Sequence, residues 1–188
     1  MGLFDGIGSA RPGGRDPFFN SGHEYQIELL DLSFFGSKNP KRKAESFFKV
    51  RAKVLKSTDP ALRAGLCAAQ LINLANGEPA LGDVKAVCEA AMRAMARETG
   101  GDVAQAVVTC DEDVEALCDP SQPARGVILG LRTVKKETQK GGGFTQHFWF
   151  DSDDLIFTLP VLSDITAQPN PGTVTPPAGS AGAQGATG

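Results

Sequence analysis

The chain has 188 residues, is 41% hydrophobic and 22% charged, and carries a net charge of −3, which fits one ordinary domain with a real core plus tails. No stretch approaches the roughly 18 consecutive apolar residues of a membrane-spanning helix. Neither the four cysteines (Cys67, Cys88, Cys110, Cys118) nor the two histidines fall into a zinc-ligand spacing. The opening MGLFDGIGSA lacks the basic and long apolar regions of a secretory signal, and Gly6 stands where myristoylation wants Ser or Thr. These features predict a reduced, cytoplasmic setting with thiols acting as small apolar groups.

Charge is divided along the chain. Residues 36–56 hold eight Lys or Arg against Glu45 alone, and 120–150 hold five bases against Glu137. The 57–119 stretch between them carries eleven acids against four bases. The composition of residues 1–22, rich in Gly, Pro and Arg, predicts a flexible arm. Residues 161–188, uncharged and mostly Pro, Gly, Ala, Ser and Thr from about Gln168, predict a disordered tail. The folded unit is expected over 23–160.

Within that unit, Tyr25, Ile27 and Leu29 alternate with Glu24, Gln26 and Glu28, as in a half-buried strand. From Leu30 the apolar set shifts by one position, which predicts a bulge before Phe34 and Phe35. A basic turn, Gly36 to Lys43, leads to a second strand. Phe48, Val50, Ala52 and Val54 form its inner face, and Phe47, Lys49, Arg51 and Lys53 its outer face. A weaker, alanine-containing third strand covers 66–74. Leu81, Val84, Val87, Cys88, Ala91, Met92 and Met95 recur at helical spacing, with Gly100-Gly101 as the stop. Residues 103–117 read as a second, acidic helical segment, though a lid is open as an alternative. Strands over 125–134 and 144–150, joined by a basic, glycine-rich turn, complete the order. Three hairpin-linked strands, a helical insertion and a final hairpin (β-β-β-α-β-β) predict a mainly β, OB-fold-like five-stranded barrel with disordered tails.

Both basic blocks fall on hairpins that flank the oligonucleotide-binding face of such barrels. Lys38, Lys41, Arg42 and Lys43 lie in the first, and Lys135, Lys136 and Lys140, with Arg132 just before them, in or beside the second. Lys49, Arg51 and Lys53 lie between. Single-strand binders need cations along the phosphates and aromatic planes for the bases. Phe47, among those cations, is one such plane. On the last strand Phe144, Gln146, Phe148 and Phe150 share one face, and His147 and Trp149 the other. One set must be core, and taking the phenylalanine set as core makes Trp149 the second stacking candidate. The plain alternative is a solvated surface whose charges discourage edge pairing.

Catalytic and cofactor readings find little support. Asp111, Glu112, Asp113 and Glu115 offer paired carboxylates without a His or Cys partner. Gly141-Gly142-Gly143 precedes a strand and lacks the G-K-[ST] of a phosphate loop. His23 and His147 pair with no nucleophile, and no basic neighbour activates Cys110 or Cys118. The expectation is a non-enzymatic protein with neither cofactor nor metal.

The segment Ser46-Phe47-Phe48-Lys49-Val50-Arg51-Ala52-Lys53-Val54-Leu55-Lys56-Ser57-Thr58 with Leu62-Arg63-Ala64-Gly65 resembles the second strand and turn of phage-encoded single-stranded-DNA-binding proteins. Leu81-Gly82-Asp83-Val84-Lys85-Ala86-Val87, Gly143-Phe144-Thr145-Gln146-His147-Phe148-Trp149 and the opening Met1-Gly2-Leu3-Phe4-Asp5 are also similar to that family. The resemblance spans about residues 23–150. It implies an OB-fold, sequence-independent binding of single-stranded DNA, and a role in phage replication or recombination in the host cytoplasm. Replication or recombination proteins and further copies of the chain are the partners it suggests. Many replication single-strand binders carry an acidic tip beyond a flexible linker; here the acidic, apolar Asp151 to Phe157 precedes the linker-like tail. Two other readings stand beside this one: a phage structural or assembly protein using the barrel for protein contacts, and an adaptor gripping an acidic partner.

Overall fold

The computed structural model describes residues 16–37, 45–137, 142–152, 155, 157 and 158. Five strands form one antiparallel sheet: β1 (Glu24–Gly36), β2 (Ser46–Ser57), β3 (Cys67–Asn73), β4 (Ile128–Glu137) and β5 (Gly143–Asp151). Two helices, α1 (Glu78–Thr99) and α2 (Asp111–Leu117), lie between β3 and β4 in the chain. The sheet order is β3-β2-β1-β4-β5, so β1 pairs with both β2 and β4. The chain is therefore mainly β with a helical insertion, as its periodicity predicts.

Alternation decides which side of each strand is core. Tyr25, Ile27 and Leu29 of β1, Phe48, Val50, Ala52 and Val54 of β2, and Leu129 and Leu131 of β4 are all almost completely buried. The expected bulge lies between Leu29 and Asp31: Leu29 faces Ala52, but Asp31 already faces Arg51. The extra residue, Leu30, returns Leu32 to the core side, where it is 1% exposed. Helix α1 packs mainly on β5 and also on β4 and β3. Its buried stripe is Ala80, Val84, Val87, Cys88, Ala90, Ala91 and Ala94, small side chains that let the helix approach the sheet closely. Gly100 closes it in the left-handed conformation (φ 71°), and Gly101 N–H donates to the Ala96 carbonyl at 2.7 Å.

Three boundaries differ from the sequence reading. The acidic segment is helical only over α2, after a short 3-10 turn at Val103–Gln105. The run Val107-Val108-Thr109 between them is β-branched and poor at propagating a helix. Strand β4 begins at Ile128 because the chain is still turning at Gln122 (φ 50°) and Gly126 (φ 90°). Residues 16–22, assigned by composition to the flexible arm, pack on the sheet. Phe19 is 3% exposed, with its ring edge-on to Tyr25 at 5.1 Å and to Trp149 at 6.3 Å. Ala69 N–H donates to the Pro17 carbonyl at 2.9 Å, and Phe18 bridges Ala69 in parallel. Buried Asp59 secures the same segment by accepting from Asn20 Nδ2 and from the Tyr25 hydroxyl, each at 2.8 Å. The predicted tail over 161–188 lies outside the described residues. Among the described residues, no helix is long and apolar enough to cross a membrane.

Candidate nucleic-acid interface

The outer face of β2 is as expected in direction but not in charge. Lys49, Arg51 and Lys53 alternate with the buried set. Arg51 Nε lies 2.7 Å from Asp16 Oδ2, and Lys53 Nζ lies 3.9 Å from Glu28 Oε2. The bond from Asp16 raises the Arg51 pKa further above its ordinary value. Across the ladder, Asp31 also stands opposite Arg51. Lys49 has no carboxylate partner among the described residues and sits between Ser33 of β1 and Leu71 of β3.

The two basic hairpins leave opposite ends of β1. One closes on Gly36 opposite Ser46; the other continues β4 beyond Arg132, which faces Glu24 at the start of β1. Lys38, Lys41, Arg42 and Lys43 of the first, and Lys140 of the second, lie outside the described residues. Lys135 and Lys136 are exposed on the last turn of the β4–β5 ladder. Arg132 divides its attention: its Nε donates to Glu24 Oε1 at 2.9 Å, and its guanidinium lies 5.8 Å from the centre of the Phe150 ring.

Both stacking candidates chosen from sequence are buried. Phe47 is 8% exposed and stacks on Phe35, with ring centres 5.7 Å apart and planes 23° apart. Trp149 is 7% exposed and donates from Nε1 to Gln70 Oε1 of β3 at 3.2 Å. Trp149 therefore belongs to the core, because its face of β5 is the one covered by α1, Phe19 and β3. The phenylalanine face is the open one, with Phe144 54% and Phe148 37% exposed. Register sets cations against these rings: Arg132 opposite Phe148, and Lys136 opposite Phe144. Arg132 and Lys136 are among the cations the sequence singles out, whereas Phe144 and Phe148 fall in the set it assigns to the core. Strict alternation on β5 separates the two sets but does not say which one points inward.

His147, on the inner face, is held at about 4 by burial, only partly opposed by a hydrogen bond with the Thr145 backbone. Burial also raises Cys88 to about 12 and Cys118 to about 11, so neither thiol is activated. Cys110, expected to be buried, is exposed at the start of α2. There Asp113 Oδ2 accepts from the N-cap Cys110 N–H at 3.2 Å and from Thr109 N–H at 2.7 Å, which turns that carboxylate to capping the helix. Among the described residues no group of His, Cys, Asp and Glu could hold a metal ion. No protein-family model matches the chain, and no curated protein matches it.

Proposed function

We propose that this chain is a non-enzymatic protein that binds single-stranded DNA without sequence preference, in phage replication or recombination. In this reading the sheet curls into an OB-like barrel, with edges β3 and β5 brought together by Trp149, Gln70 and the Pro17–Phe19 segment. The observation that carries the reading is the outer face of β4–β5, where solvent-exposed Phe144 and Phe148 stand opposite Lys136 and Arg132. Exposed rings beside cations answer the two demands of a single strand, stacking for bases and positive charge for phosphates. Lys49 extends the positive charge on the outer face of β2, and Arg51 and Lys53 join it by exchanging Asp16 and Glu28 for phosphate.

The test is anisotropy of labelled oligo-dT titrated with the protein at two salt concentrations. Saturable binding is expected, with a log–log salt slope of about −0.7 per phosphate neutralised. Phe148→Ala should weaken it by about 1–3 kcal/mol if that ring stacks on a base, and Lys49→Glu should both weaken it and flatten the slope. Absence of binding at low salt, together with homo-oligomers that persist without DNA, would overturn the proposal in favour of an assembly role.

A further inference from the structure

We propose that a cleft between β3, the start of β5 and the first turns of α1 receives the bases of the bound strand, an inference that rests on the single-strand reading above. The cleft has a volume of about 560 Å³, within the range of small-ligand sites. Three segments distant in sequence each turn a large apolar side chain toward it: Phe18 of the N-terminal segment, Leu71 of β3 and Phe144 of β5. Their exposures are 59%, 41% and 54%. Three such side chains around one depression are a costly arrangement in water unless something covers them.

Charge identifies the occupant. Register puts Lys49 directly opposite Leu71 across β2–β3, and Lys136 directly opposite Phe144 across β4–β5. Two of the three apolar side chains, Leu71 and Phe144, are thus backed by a cation on the neighbouring strand, so the cleft is apolar inside with a positive side chain beyond two of its edges. The α1 side of the cleft carries Asp83, which has no cationic partner among the described residues and whose carboxyl is pushed up by burial. A carboxylate there repels phosphate and accepts from the N–H groups of base edges. The polymer that presents flat apolar faces, N–H edges and a separate anionic backbone at once is an unpaired nucleic acid strand. A duplex keeps its base faces stacked inside, and an acidic peptide lacks the planes.

The test uses the full chain with oligo-dT carrying 5-iodo-deoxyuridine, irradiated and mapped by mass spectrometry, beside affinities of Phe144→Ala and Leu71→Glu. Both substituted side chains are exposed, and unchanged thermal unfolding would verify that the variants fold. Cross-links on Phe18 or Phe144, with a loss of about five-fold or more in Phe144→Ala and a loss in Leu71→Glu, support the cleft. Salt-sensitive binding that both variants retain, with cross-links confined to Phe34, Phe35 or Phe148, overturns the cleft and leaves the function standing. If the wild-type chain binds no oligo-dT at low salt, the single-strand reading falls and the cleft falls with it.

Discussion

Lowering the pH should destabilise this protein in a window set by His147. Burial on the inner face of β5 keeps the folded imidazole neutral down to about 4, against an ordinary value near 6.5. Between those values the unfolded chain binds a proton that the folded chain refuses, so stability falls as pH falls. Below the folded value both forms are protonated and the contribution is constant. The full difference corresponds to about 3 kcal/mol. About 1.3 kcal/mol of it should be lost between pH 7.5 and 5.5, and about 2.5 kcal/mol by pH 4.5. Urea unfolding followed by Trp149 fluorescence at those three pH values, in wild type and His147→Gln, isolates the term. Asp59 titrates in a separate window. Burial pushes its carboxyl up, but the Ala61 N–H, Tyr25 hydroxyl and Asn20 amide together hold it below 3.8, so its contribution is lost only in stronger acid. A stability difference between wild type and His147→Gln that stays constant from pH 7.5 to about 4.5 would refute the half-buried neutral imidazole.

Three further outcomes follow from the packing. Arg97→Ala strips Asp151, 2% exposed, of the guanidinium 2.8 Å away. Because Arg97 is itself partly exposed, the loss should be about 2–3 kcal/mol in urea unfolding, and adding Asp151→Asn should recover part of it. Gly130→Ala would set a methyl 2.5 Å from Leu155 Cβ without backbone strain at residue 130. Leu155 must then lift off β4 and weaken the bonds from Thr158 N and Oγ1 to Glu24, both 2.6 Å, which limited proteolysis should detect as faster cleavage within 152–158. Tyr25→Phe removes one donor from the Asp59 carboxylate and should cost about 1.5–3 kcal/mol in thermal or urea unfolding.

The chain order of the strands and the inner faces of β1 and β2 are legible in the sequence because both strands alternate apolar and polar residues with a clear difference between their faces. Even the β1 bulge shows, as a one-residue shift in the apolar set at Leu30. The same reasoning fails on β5, where Phe144, Phe148 and Phe150 compete with His147 and Trp149 and both faces are aromatic. It also fails for the segment at 16–22, whose composition is that of a mobile arm although Phe19 is core. Nothing local marks Phe19, because the surfaces that bury it belong to β1 and β5.

Local pattern therefore determined the elements, the centre of the buried stripe of α1 (Val84, Val87, Cys88 and Ala91, but not Leu81, which is 58% exposed) and the clustering of positive charge at two hairpins. Periodicity and propensity act over a few residues, and these features are written at that range. Which face of β5 is covered, which cations of β2 already hold a carboxylate, and that Phe18, Leu71 and Phe144 surround one cleft were decided by tertiary structure alone. Each depends on segments tens of residues apart meeting: Asp16 with Arg51, Gln70 with Trp149, and Leu71 with Phe144. Burial and ion pairing are properties of those meetings, and a single strand's alternation contains no information about its neighbour across the sheet.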